Sequence, residues 1–309
     1  MTLEPNPKLG RYDSILDSVG RTPLVRLHRV TAHLPCQVWA KVEYVNPGGS
    51  VKDRMAIHIL RKAEESGALR PGGTIVENTS GNTGAAVAMA AASRGYKAVL
   101  TVPDKMSMEK INGLKAYGAK VFIAPTAVPA DSPQSYYEVA KRIVRETPGA
   151  FYLNQYHSPD NIDAHYRSTG PEIWEQTEGK IDCLIGGVGT GGTMSGSGRF
   201  LKERNPEIRV IGIDPEGSVF YDWFKKGELV EAHAYKVEGI GEDMLAASMD
   251  FSVFDDMVRV TDKECFHMAR RLTAEEGLFV GGSAGGAMAG ALRFLSENPR
   301  FRCPVVILP

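Results

Sequence analysis

Short runs of β-branched and apolar residues alternate along the chain with longer segments whose apolar positions recur every three to four residues. "VWAKVEY" precedes "MAIHILRKAEESG", "TIVENT" precedes "AAVAMAAASRG", and "KAVLTVP" precedes "EKINGLKAYG". The alternation resumes with "DCLIGGV" before "TMSGSGRFLKERN", then "RVIGIDP", then "KECFHMARRLTAEEG" before "LFVGGS", then "AGGAMAGALRFLSEN" and a last "VVILP". The short apolar runs predict strands and the longer periodic ones predict helices. Alternation of this kind builds parallel sheets with helices on both faces. Strands covered on both faces read as nearly unbroken apolar runs, and these do. The expected class is therefore α/β, with two doubly wound domains of mainly parallel sheet. "APTAVPADSPQS" breaks the pattern with Pro, Ala and Ser and reads as a surface loop within the first domain. The boundary is expected near Thr147 to Gly149, giving a smaller domain over residues 44–149 and a larger one over residues 1–43 and 150–309. Ligands of such folds bind in a cleft at the carboxyl ends of the strands.

The 309 residues are 43% hydrophobic and 24% charged, a globular composition with length enough for two cores. A net charge of −1 supplies no long-range field for nucleic acid or an anionic membrane, so neither is an expected partner. "MTLEPNPKLGRYDSILDS" lacks a basic-then-apolar leader, and no apolar run approaches the roughly 20 residues of a membrane span. The expectation is a cytoplasmic protein. Cys36, Cys183, Cys265 and Cys303 are scattered and read as buried structural thiols, with neither disulfide nor zinc. His157, His165 and His267 show no metal-ligand spacing and no acidic partner, so surface or helix-packing roles are expected and no metal site.

Gly187-Val188-Gly189-Thr190-Gly191-Gly192 satisfies G-x-G-x-x-G, with Asp214 at the end of the following strand where a ribose-binding acid would sit. A dinucleotide, another phosphate ligand and a merely tight strand–helix turn all fit this motif. Thr190 and Thr193 add hydroxyl donors suited to a terminal phosphate, and the motif lies mid-chain rather than opening its domain. Gly281-Gly282-Ser283-Ala284-Gly285 satisfies the hydrolase elbow G-x-S-x-G. No Asp or His follows Ser283, so a hydrolase triad is excluded. Ser283 reads instead as a hydroxyl at a crowded strand end facing the cleft, or as the N-cap of the next helix. Thr79-Ser80-Gly81-Asn82-Thr83-Gly84 ends a strand and opens a helix of small residues. Such a loop holds an anion or carboxylate through N–H and O–H donors without a fixed positive charge, whereas a simple capped turn accounts for only one or two of the six. Ser50-Val51-Lys52-Asp53 has capping-box spacing before an apolar helical run. A lysine in a first turn opposes the helix dipole, which favours the neutral amine and Schiff-base chemistry; alternatively Lys52 is only a solvated lysine on a capped helix.

Together these motifs resemble the fold-type II pyridoxal phosphate enzymes, and among them the cysteine synthase and cystathionine β-synthase family. The resemblance runs from "DSVGRTPLVRL" to "VVILP", with the motifs in order. It implies an active site between two domains and pyridoxal 5′-phosphate as cofactor. It implies that Lys52 is the lysine joined to the cofactor and the general base. Asn82 would bond the cofactor's 3′-oxygen, Gly189, Thr190, Gly191, Gly192 and Thr193 would cradle its phosphate, and Ser283 would bond its ring nitrogen. Thr79, Ser80 and Thr83, with Gln155 of "NQY", would hold the substrate α-carboxylate, and the loop Gly239-Ile240-Gly241 would lie at the mouth. On this reading Asp214 loses its ribose role. The implied reaction is β-replacement on O-acetyl-L-serine or L-serine by sulfide or a thiol, in a homodimer.

The wording of "PDKMSMEK", "DPEGS", "GGSVKDR" and "VEGIGED" leans towards cystathionine β-synthase. The bare catalytic core, without regulatory module or haem segment, leans towards cysteine synthase, the first expectation. Glu242 and Asp243 stand where the second substrate enters, and the end at Pro309 reads as a shortened tail. A catalytically idle scaffold and a nicotinamide oxidoreductase are the other classes, separated from this one by a visible absorption band.

Overall fold

The computed structural model describes residues 11–79, 81–129 and 131–309. In chain order, β1 (Leu24–Arg26) and β2 (Trp39–Val42) are followed by α1 (Lys52–Glu65), β3 (Thr74–Asn78), α2 (Asn82–Arg94), β4 (Lys97–Pro103), α3 (Met108–Ala116) and β5 (Lys120–Ala124). Then come α4 (Tyr136–Glu146), β6 (Phe151–Tyr152), α5 (Pro159–Arg167), α6 (Thr169–Gln176), β7 (Cys183–Gly187), α7 (Gly192–Arg204) and β8 (Arg209–Pro215). The chain ends with α8 (Phe220–Lys226), β9 (Asp256–Val260), α9 (Asp262–Glu276), α10 (Gly282–Glu297) and β10 (Pro304–Leu308). The residues group into two compact units. One contains the described residues up to Arg21 together with Asn46–Asp160, the other Thr22–Val45 and Asn161–Pro309.

The first unit holds a four-stranded, all-parallel sheet in the order β5-β4-β3-β6. Strands β3, β4 and β5 step one way, and β6 is laid on the other side of β3. The carboxyl end of β3 is thus a topological switch point, where the loops before and after part and leave a crevice. The loop that begins at Thr79 leaves from it. The second unit holds a six-stranded sheet in the order β1-β2-β10-β7-β8-β9, parallel except for β1 against β2. Here β8 and β9 step one way from β7 while β10 returns on the other side, so β7 ends at a second switch point. Residues 188–193 leave from that end. Both sheets are the parallel α/β layers that the sequence pattern predicts.

The second core centres on β10, whose five residues are all buried, flanked by Ile185, Ile213 and α10. Helix α10 crosses α9 closely because Gly285 has no side chain: a Cβ there would meet the Cys265 carbonyl and come within 2.7 Å of the Ala269 nitrogen. The "LFV" run does not form the expected strand. Phe279 is 84% exposed, and the run only joins α9 to α10. Gly277 turns the chain at φ 72°, and the Leu278 N–H returns to the Leu272 carbonyl at 3.1 Å. Cys183 and Cys265 are buried, whereas Cys36 and Cys303 are only half-buried; all four are free thiols. Among the described residues no helix is long and apolar enough to cross a membrane.

Candidate active site

In the first unit, Lys52 opens α1 and is half-buried. The S-x-x-D spacing does not make a capping box. The Ser50 hydroxyl accepts the Lys52 N–H at 3.2 Å, and the Asp53 carboxylate turns back to the Gly48 N–H at 2.6 Å. The turn "NPGGS" is thereby pinned from inside the helix it precedes. Thr79 continues β3 by donating its N–H to the Thr101 carbonyl at 2.9 Å. Its hydroxyl oxygen accepts the N–H groups of Gly81 at 3.1 Å and Gly84 at 3.2 Å, so Thr79 shapes the loop as well as facing it. Ser80 lies outside the described residues. Asn82 is exposed at the first position of α2, whose opening N–H groups have no intrahelical acceptor. Thr83 is buried and donates to Gln155 Oε1 at 2.6 Å, while Gln155 Nε2 donates to the Asn78 carbonyl at 3.2 Å. Residues 72 positions apart are thus joined because β6 lies beside β3.

A fixed positive charge also stands beside this loop, although its N–H and O–H donors do not require one. Lys110 of α3 brings its Nζ to where a Gly81 Cβ would be only 3.7 Å away. Nothing in the spacing of "MEK" relative to "TSGNTG" announces it, since only the packing of α3 along α2 supplies the proximity.

In the second unit, β7 runs into Val188 and then residues 189–193, at the start of α7. Gly191 has φ 87°, a left-handed conformation open to glycine, and a Cβ there would come within 2.6 Å of Met249 Cα. Thr190 Oγ1 accepts from Asn161 Nδ2 at 3.0 Å, and the Thr190 carbonyl accepts the Ser248 hydroxyl at 2.6 Å. Thr193 Oγ1 is 3.2 Å from His165 Nε2, and the other ring nitrogen is 2.8 Å from Thr169 Oγ1. His165 is fully buried, so its helix-packing role includes bracing the loop; His157 and His267 are exposed. The segment with Gly239, at φ 86°, is strapped on by the Gly241 N–H, which donates to the Val188 carbonyl at 2.6 Å. A Cβ on Gly189 would stand 3.0 Å from the Gly239 carbonyl, and one on Gly239 would stand 3.7 Å from Ser283 Oγ. The structure therefore brings Gly189, Gly239 and Ser283 together. Ser283 lies inside α10, whose N-cap is Gly281, so it follows no strand and is not the cap. Asp214 is fully buried at the end of β8, where it accepts the Tyr221 N–H at 2.9 Å, and burial pushes its carboxyl up to about 7.

Residues 189–193 can be tested against a phosphate. Among the described residues, the N–H groups of Gly189, Thr190 and Gly191 meet no protein acceptor. Those of Gly192 and Thr193 belong to the first turn of α7, where helices leave donors open. Five orphan donors and two threonine hydroxyls at a helix amino end match a phosphate's acceptors. The donor set fits pyridoxal phosphate.

Comparison with known proteins agrees with this chemistry. Residues 15–308 match the family described as pyridoxal-phosphate dependent enzyme. Cystathionine β-synthase of Apis mellifera is 46% identical over 297 residues, covering 96% of this chain and 58% of that protein. The chain thus spans somewhat more than half the length of that relative. Cysteine synthase of Staphylococcus aureus (strain Mu50 / ATCC 700699) is 39% identical over 298 residues, covering 96% of this chain and 93% of that one. The crystal structure of an O-acetylserine dependent cystathionine β-synthase from Helicobacter pylori superposes with a TM-score of 0.89 at 32% identity, covering 97% of this chain and 95% of that one.

Proposed function

We propose, because the chain belongs to the family of pyridoxal-phosphate dependent enzymes, that it catalyses β-replacement on O-acetyl-L-serine by sulfide, forming L-cysteine and acetate. The observation that carries the reading is the set of orphan donors at residues 189–193 with Ser283 beside Gly239. When bound there, pyridoxal phosphate supplies a sink for the electrons released as the substrate's α-proton leaves. Gly189, Thr190, Gly191, Gly192 and Thr193 would hold its phosphate, and Asn82 its 3′-oxygen. The hydroxyl of Ser283 would face the ring nitrogen without the fixed charge of a carboxylate, which would keep the sink weak and favour loss of a β-substituent over transamination. Lys52 is the covalent anchor and the base that removes the α-proton and later restores it. Thr79, Ser80, Thr83 and Gln155 hold the substrate carboxylate. Acetate is a good enough leaving group to depart with little acid assistance.

The segment from Lys236 to Asp243 favours sulfide as nucleophile. It carries Glu238, Glu242 and Asp243 against one lysine, and Glu238 and Asp243 are exposed. Homocysteine would bring its own carboxylate to this acidic rim, whereas sulfide brings no second carboxylate. The 46% identity to a cystathionine β-synthase favours a second reading, in which L-serine is the donor, homocysteine the acceptor and cystathionine the product. Both readings have the chain working as a homodimer in the cytoplasm, the dimer being measurable by light scattering. The first half of the cysteine-forming reading is tested by mixing the cofactor-loaded protein with O-acetyl-L-serine alone. A stoichiometric burst of acetate, and cysteine on adding sulfide, is expected; no acetate overturns the first reading.

A further inference from the structure

Glu77, near the end of β3, is fully buried and carries no role in the reaction above. Its Oε2 accepts the N–H of Asn154 at 2.7 Å, where the backbone takes the left-handed conformation at φ 55°. Asn154 directly precedes Gln155, so this bond fixes the backbone from which the Gln155 side chain leaves. Its Oε1 meets no partner among the described residues. The Gln155 side chain is held at one end by the Asn78 carbonyl, next to Glu77 in β3, while its Oε1 receives the Thr83 hydroxyl at 2.6 Å. Glu77 therefore holds the backbone turn that presents Gln155, and Gln155 in turn holds Thr83.

We propose that Glu77 is a positioning residue of the amino-acid carboxylate site, acting as a neutral carboxylic acid, and that its ionisation disables that site. The inference rests on the reading above that Thr83 and Gln155 hold the substrate carboxylate. The ionisable groups on the elements around β3 are Tyr152 on β6, Tyr136, Tyr137 and Glu138 at the start of α4 with the exposed Lys141, Arg142, Arg145 and Glu146 farther along it, and Arg94 and Lys97 at exposed ends of α2 and β4. Among the described residues no cation offsets charge on Glu77. Burial pushes its carboxyl up to about 8, against the donated bonds of Asn154 and Gln155. Below that pH the acid is neutral and an incoming carboxylate meets no like charge. Above it, a buried anion next to Gln155 repels a second carboxylate, with little solvent to screen the two.

The test uses the cofactor-loaded protein and Glu77→Gln, which keeps the neutral acid's shape and its acceptor for Asn154. The probe is glycine, which has the α-carboxylate but no β-substituent to lose, and its binding is followed by calorimetry. Titration of the glycine amine is common to both proteins and cancels in their ratio. If only the neutral form binds, the wild-type Kd divided by that of Glu77→Gln rises about tenfold between about pH 7 and about pH 9. A ratio that stays constant across this range overturns the proposal, since a purely structural role shifts both ends alike. Infrared spectra of the wild type provide a variant-free measurement. A carboxylic-acid carbonyl band should fade through about pH 8 and return when glycine is added; its absence at neutral pH also overturns the proposal. If neither protein binds glycine at any pH while both keep the visible absorption band, the carboxylate reading of the loop falls and the proposal with it.

Discussion

Lys52 stands in the first turn of α1, where a cation opposes the helix dipole, so it contributes little to the stability of the helix it opens. Lys52→Ala should therefore lose all turnover and the visible absorption band while its thermal unfolding stays close to wild type. Borohydride reduction and peptide mapping check the same claim, since the label must fall on Lys52. Thr83→Val keeps the shape of the side chain but removes the hydroxyl given to Gln155 at 2.6 Å. Loss of a hydrogen bond that serves a charged ligand costs about 1.5–3 kcal/mol, so KM for O-acetyl-L-serine should rise roughly tenfold or more with kcat less affected. An unchanged KM would remove Thr83 from the site. The residues proposed to have chemistry of their own stand out in the sequence because each motif is short and contiguous: Lys52, Asn82 and the glycines from 189 onwards. Those proposed to act through others do not. Glu77 reads as an ordinary strand residue, and Lys110 as a surface helix charge. His165 reads as a lone histidine until the fold sets Thr193 3.2 Å from it.

Elements that fill the two sheets were legible to the extent that they are long. The apolar runs at β3, β4, β7, β8 and β10 all became parallel strands. The two-residue β6 carries no periodicity, yet it forms one side of the first switch point. "LFV" carries a strand's composition, yet no place beside it in the six-stranded sheet is taken by it. Composition reports what a strand would accept; only pairing decides whether a neighbour is there. The close crossing of α9 and α10 is the element-scale feature most open to test, because Ser283 rides on α10. Gly285→Ala would press a methyl group onto the Cys265 carbonyl and within 2.7 Å of the Ala269 nitrogen. Overpacking of this kind costs about 1–3 kcal/mol, so the midpoint of thermal unfolding should fall. An unchanged midpoint would mean that α10 shifts freely, and Ser283 with it.

At the scale of the whole molecule, each unit places one donor-rich loop at one switch point, and pH acts on both units through buried carboxyls. Burial raises Glu77 to about 8 and Asp214 to about 7. A raised carboxyl binds more protons folded than unfolded between its unfolded and folded values, so both groups withdraw stability as pH rises from about 4 to about 8. Asp214→Asn removes one of them. Its stability relative to wild type should improve steadily from about pH 4 to about pH 7 and then level off. A difference that stays flat with pH would show that Asp214 is ionised throughout.

The central claim is sulfur transfer to the β-carbon of an acetylated serine, with sulfide preferred. The most direct measurement is a competition in one vessel, offering O-acetyl-L-serine and L-serine as donors and sulfide and homocysteine as acceptors to the cofactor-loaded protein. Products are followed by mass. The account predicts cysteine from O-acetyl-L-serine as the dominant product, with the higher kcat/KM. Predominant cystathionine formed from L-serine would contradict it.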